Sequence, residues 1–144
     1  MPNKIMVALD GSDGSKRALS AAVAHAKLTS SDLVLAYVID WSPYSFHTPQ
    51  ELEERHKRRE SEIQRANDSI LSPEKAAVEA EGINCETVVH HGKIAETLLE
   101  LGDQYGITQI FTGRKGESRV HAIIFGSVSA ALVQTSSVPV TVVP

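Results

Sequence analysis

Gly113-Arg-Lys-Gly-Glu-Ser-Arg-Val-His-Ala-Ile-Ile-Phe-Gly-Ser-Val-Ser129 is the stretch whose reading decides the fold. Gly113 and Gly116 are separated by two residues, Gly116 and Gly126 by nine, and Ser127 follows directly. A short strand-like segment, Gln109 to Thr112, precedes the glycines. A helical pattern, Val128, Ala131 and Leu132, follows them. The glycines therefore join a strand to a helix. In an α/β protein such a junction holds anions: glycine lets the backbone approach, and the first-turn N–H groups of the helix point at the charge. Ser127 adds a hydroxyl donor.

Working outward, the sequence alternates strand and helix. Ile5 to Leu9 is a continuous apolar run, as expected of a strand buried on both faces. It ends at Asp10, before Gly11-Ser12-Asp13-Gly14-Ser15. Ser15 is expected to cap a helix with the stripe Ala18, Leu19, Ala22, Val23 and Ala26. Asp10 can contact a ribose or base, or it can hold a tight Asx turn. Asp10 and Asp13 hint at a calcium loop, but its twelfth position is Ala21, not Glu. Asp32 to Asp40 is the second strand. Thr48-Pro49-Gln50-Glu51 is a capping box opening a long charged helix. Glu51–Arg55, Glu53–Lys57 and Glu54–Arg58 are i, i+4 pairs on a solvated face. Ile63, Ala66, Ile70, Ala77 and Val78 are its expected buried side. Pro73 should kink or restart the helix, and Gly82 should cap its end.

Cys85 to His90 is the third strand. His90 and His91 are neighbours on a strand, so they face opposite sides and cannot chelate one ion. Gly92-Lys93 leads into a helix carrying Ile94, Leu98 and Leu101, closed by Gly106. Gln109 to Thr112 is the fourth strand, Ser127 to Thr135 a short helix, and Pro139 to Pro144 contains the fifth strand. Such alternation implies one α/β domain over residues 1–144, with a parallel sheet and helices on both faces. The expected order is 3-2-1-4-5. Ligands bind where that order reverses, between strands 1 and 4. Asp10 and Gly113, found separately, end those two strands.

Composition bounds the rest. The chain has 144 residues, 42% hydrophobic and 22% charged, with net charge −4. That disfavours nucleic acid or an anionic membrane as a partner. One cysteine, Cys85, excludes an intramolecular disulfide. The longest apolar run, Leu33 to Ile39, is too short for a bilayer. Met1 to Lys4 shows no signal-peptide pattern, so a cytoplasmic protein is expected.

With these residues in hand, the chain resembles a universal stress protein of the ATP-binding type. The resemblance rests on Asp10-Gly11-Ser12, Tyr37-Val38-Ile39-Asp40, Gly92, the spacing Gly113, Gly116, Gly126, Ser127, and Val138-Pro139-Val140-Thr141-Val142-Val143. It departs at Lys93, where relatives often have Pro, and at Thr108, where they often have Asp. The resemblance implies that Val38 meets adenine through its backbone and that Asp10 and Gly113 lie at the ribose. Gly116, Gly126, Ser127 and Val128 would hold the phosphates of ATP (or of ADP or AMP), with Mg²⁺ shared among them. Arg114 and Lys115 either add charge to the phosphates or face solvent. The implied role is a nucleotide-responsive regulator of stress survival.

No nucleophile–base pair is visible, so catalysis beyond slow ATP hydrolysis is not expected. His121 lies in the loop, where it either reaches a γ-phosphate or an attacking water or faces solvent. An adenylating enzyme of the related nucleotide-binding group is the alternative, yet its HxGH or SGGxDS motif is replaced by DGSDGS. A receiver domain would need a phospho-acceptor Asp where His90 and His91 stand. The last strand, Val138 to Val143, is a sheet edge without a charge to blunt it. Val140 and Val142 are expected on one face, Val138 and Val143 on the other. A homodimer through Val140, Thr141, Val142 and Val143 is therefore expected, and the resemblance implies the same. The sequence names no protein partner.

Overall fold

The structure is a computed structural model that describes residues 3–40, 48–115 and 126–144. The elements run β1 (Lys4–Leu9), α1 (Asp13–Thr29), β2 (Asp32–Asp40), α2 (Pro49–Ala66), a π-helical turn (Asn67–Leu71) and α3 (Ser72–Glu79). There follow β3 (Cys85–Gly92), α4 (Ile94–Tyr105), β4 (Gln109–Gly113), α5 (Ser127–Thr135) and β5 (Val140–Val143). The five strands are parallel, in the order β3-β2-β1-β4-β5. β1 lies at the centre, and Ile5, Met6 and Val7 are fully buried there. This is what a continuous apolar run requires when both faces of the sheet are covered.

Two cores lie on the two faces. α1 and α3 close one face over Ile5, Val7, Leu33, Leu35 and Phe111, and Ala18, Ala22, Leu71 and Val78 pack into it. α4 and α5 close the other over Met6, Val34, Ala36, Val38 and Ile110, with Leu98, Leu101 and Leu132. The period-two alternation of the strands divides their side chains between these cores.

Local expectations change in four places. The first helix is capped by Ser12, whose side chain accepts from the Ser15 N–H, so it begins two residues before Ser15. Gly11, at φ +81°, supplies the left-handed turn that lets Ser12 take that place. The long crossover is interrupted by the π turn before Pro73 opens α3. That turn buries Leu71, whereas Ala77 is exposed. α3 is capped by Ala80, and Gly82, at φ +84°, sits in the turn beyond it. Val138 packs into the same core as Val140, while Val143 packs into the opposite one. The expectation had put Val138 and Val140 on opposite faces, but residues two apart on an extended chain share a side.

β5 is an edge strand. The Ile110 N–H donates to the Pro139 carbonyl (2.9 Å), and the Arg114 N–H donates to the Val143 carbonyl (2.8 Å). The backbone groups of 139, 141 and 143 thus face β4, and those of Val140 and Val142 face outward. Among the described residues, no helix is long and apolar enough to cross a membrane.

Candidate functional site

A cavity of about 350 Å³ opens over the carboxyl ends of β1, β2 and β4, where the strand order reverses. Its volume falls at the lower end of the roughly 300–1,000 Å³ typical of small-ligand pockets. Asp10, Val38, Gly113, Gly126, Ser127 and Val128 all line it. Gly116 and His121 lie outside the described residues.

One end of the cavity is apolar. Ala8 and Val38 on the sheet face Ile94 and Leu98 of α4 and Val128 of α5. The backbone of Val38 is the polar feature here. The Asp32 N–H donates to the Asn3 carbonyl, so the backbone groups of even-numbered β2 residues face β1. Pairing with β1 stops at Leu9 and Tyr37, whereas pairing with β3 continues to Asp40 and Gly92. The Val38 carbonyl consequently projects past the end of β1, on the cavity side.

The other end is the N-terminus of α5. Gly126 is its N-cap and supplies no side-chain hydrogen bond. The N–H groups of Ser127, Val128 and Ser129 find no acceptor among the described residues. Three donors and the positive end of a helix dipole thus converge on the space. Lys115 lines the same space, so of Arg114 and Lys115 it is the one placed at the cavity.

Arg114 acts through its backbone. Its carbonyl accepts from the Gly126 N–H (2.8 Å) and the Ser129 hydroxyl (2.9 Å). The two ends of the glycine loop are thereby tied together. The Arg114 side chain is not part of the cavity wall, and its Nε is buried with no hydrogen-bond partner among the described residues.

Asp10 makes the Asx turn that its sequence allows, and it also borders the cavity. Its Oδ1 accepts from the Ser12 N–H (2.9 Å) and from the Ser12 hydroxyl, which is the Asx turn. No described residue bonds Oδ2, and the carboxylate borders the cavity.

Sequence reasoning missed Gly14, Thr112 and Ser129. Gly14 is buried in the first turn of α1, and a Cβ there would lie 2.6 Å from the Lys115 carbonyl oxygen. Ser129 is 2% exposed and closes the loop. Only its spacing from Gly126 could have marked it.

The histidine pair separates as expected, with one addition. His90 is exposed, and His91 Nε2 lies 2.8 Å from Glu62 Oε2 of α2. The sequence had shown no carboxylate partner, because α2 meets β3 only through the tertiary fold. Among the described residues, no group of three or more His, Cys, Asp or Glu is placed to hold a metal.

A cleft at the switch point of a parallel 3-2-1-4-5 sheet with helices on both faces defines the class of fold as Rossmann-like. The family model of the universal stress proteins matches residues 1–144. Universal stress protein YxiE of Bacillus subtilis is 30% identical over 150 residues, covering 99% of each chain. The solved structure of universal stress protein UspA from Lactobacillus plantarum superposes with a TM-score of 0.86 at 26% identity, covering 99% of this chain and 97% of that one. The chain belongs to the universal stress protein family. Two further structures share the fold and hold adenine nucleotides. One is a universal stress protein in complex with cAMP (TM-score 0.70, 22% identity, 99% and 96% covered). The other is from Archaeoglobus fulgidus, in complex with dAMP (TM-score 0.64, 18% identity, 100% and 98% covered).

Proposed function

We propose that this protein binds ATP in the cavity and works as a nucleotide-responsive regulator of stress survival. One observation carries the reading. The cavity joins an apolar slot with an outward carbonyl, at Val38, to an uncapped helix N-terminus at Ser127. A purine with an exocyclic amino group suits the first, and a polyphosphate suits the second. The free oxygen of Asp10 and the backbone of Gly113 line the same cavity, and the reading puts the ribose beside them. The cAMP and dAMP complexes of two relatives support the choice of adenine.

Mg²⁺, when bound, would neutralise phosphate charge. The hydroxyl of Ser127 is the described group suited to sharing it, and the phosphates themselves would supply the other ligands. No described residue is poised as a base against an attacking water, so we read the protein as a binder. The two-fold partner is a second copy through β5, giving two sites per dimer.

Mass spectrometry of small molecules released from the purified, denatured protein tests the reading, with calorimetric titration of ATP and Mg²⁺. Released adenine nucleotide or a saturable ATP isotherm is expected. Neither, with folded protein, overturns it.

A further inference from the structure

Thr112 brings a hydroxyl to the cavity wall at the end of β4. Alternation along β4 places it on the face of Ile110, toward α4 and α5. It lines the cavity and is 4% exposed. The parallel register pairs Met6 with Ile110 and Val7 with Phe111, so Ala8 comes level with Thr112. Ala8, Val38, Leu98 and Val128 line the same cavity and belong to the core on that face of the sheet.

That hydroxyl is poorly bonded. Its one hydrogen bond among the described residues is to the Gly113 carbonyl at 3.4 Å. A hydroxyl donor normally sits about 2.5–3.0 Å from its acceptor. Valine would fill the same volume without leaving a buried hydroxyl short of a partner. Packing does not explain a threonine here, whereas an acceptor on a bound ligand does.

Resting on the nucleotide reading above, we propose that Thr112 is a specificity residue whose hydroxyl donates to purine N3. Thr112 directly precedes Gly113 at the end of β4, and the nucleotide reading puts Gly113 at the ribose. N3 is the ring acceptor on the sugar side of a purine, and it has no hydrogen of its own.

Calorimetry with ATP and 3-deaza-ATP, on the wild type, Thr112→Val and Thr112→Ser, tests this. The wild type should prefer ATP by about tenfold, the net effect of one hydrogen bond. Thr112→Val should bind ATP about tenfold more weakly and bind the two nucleotides alike. Thr112→Ser should keep the preference. An unchanged ATP preference in Thr112→Val overturns the proposal and leaves ATP binding standing. Equal binding of both nucleotides by the wild type does the same, and needs no variant to fold. A wild type that binds neither nucleotide overturns both readings.

Discussion

The Cβ that Gly113 lacks would lie 2.8 Å from the carbonyl carbon of Gly14 and 2.9 Å from its oxygen. The end of β4 and the first turn of α1 therefore meet backbone to backbone, with no side chain between them. Gly113 is required by this contact whether or not a nucleotide is present. Gly113→Ala should lower stability by about 1–3 kcal/mol, the usual cost of forcing a methyl into packed structure. Urea unfolding of the nucleotide-free protein measures it, and an unchanged midpoint would show that the crossing yields easily.

Gly126 has φ −61° and ψ 159°, a conformation open to any residue. Gly126→Val should therefore fold, while its side chain crowds the three free N–H groups of α5. ATP affinity should fall by about tenfold or more, as expected when donors to a charged group are blocked. Calorimetry alongside circular dichroism checks both parts.

The outward groups of β5 belong to Val140 and Val142. Val142→Pro should remove an edge donor and convert the proposed dimer to monomer, with nucleotide binding retained. Thr141→Pro should instead break the ladder to β4 and destabilise the fold. Sedimentation at tens of micromolar separates the cases. A monomeric wild type sinks the dimer.

Turnover should lie far below the roughly 1–10³ s⁻¹ common among enzymes. A single-turnover assay with radiolabelled ATP reads it directly. Fast hydrolysis that disappears in His121→Ala would make this protein an enzyme with a catalytic histidine.

Cys85 is buried, and its thiol is pushed up from 9.0 to about 11. Burial is the main cause, Glu79 adds to it, Lys75 partly opposes it and Glu86 contributes last. The unfolded thiol ionises first as pH rises, so this group's contribution to stability is full below 9.0 and is lost between there and about 11. Cys85→Ala should flatten that alkaline decline in thermal melts. In the wild type at pH 8, alkylation of the thiol should be slow until denaturant is added.

Much of this was legible in the chain because the signals are local. Ile5 to Leu9 must be a doubly covered strand, and Thr48 with Glu51 forms the capping box as read. Asp10 and Gly113 converge because right-handed crossovers leave few topologies. What escaped depends on distant atoms. Gly14 is indistinguishable from a turn glycine until Lys115 and Gly113 are brought against it. Thr112 reads as an ordinary β-branched strand residue until the cavity opens beside it. Ser15 looked like the cap because the left-handed turn at Gly11 is not visible in a run of Gly, Ser and Asp.

The π turn Asn67–Leu71 holds one residue more than an α-helix would spend on the same advance. Each residue carries a helix about 100° around its axis, so that surplus sets the azimuth of α2 relative to α3. Of the eighteen residues of α2, only Ala66 is buried, so the sheet and cores exert little hold on this angle. Removing one residue from 67–71 would rotate the charged helix bodily and swing Glu62 away from His91. Which charges α2 presents to the outside is thus governed by a count of residues at one turn. An insertion or deletion there could re-aim that surface while leaving the cavity intact.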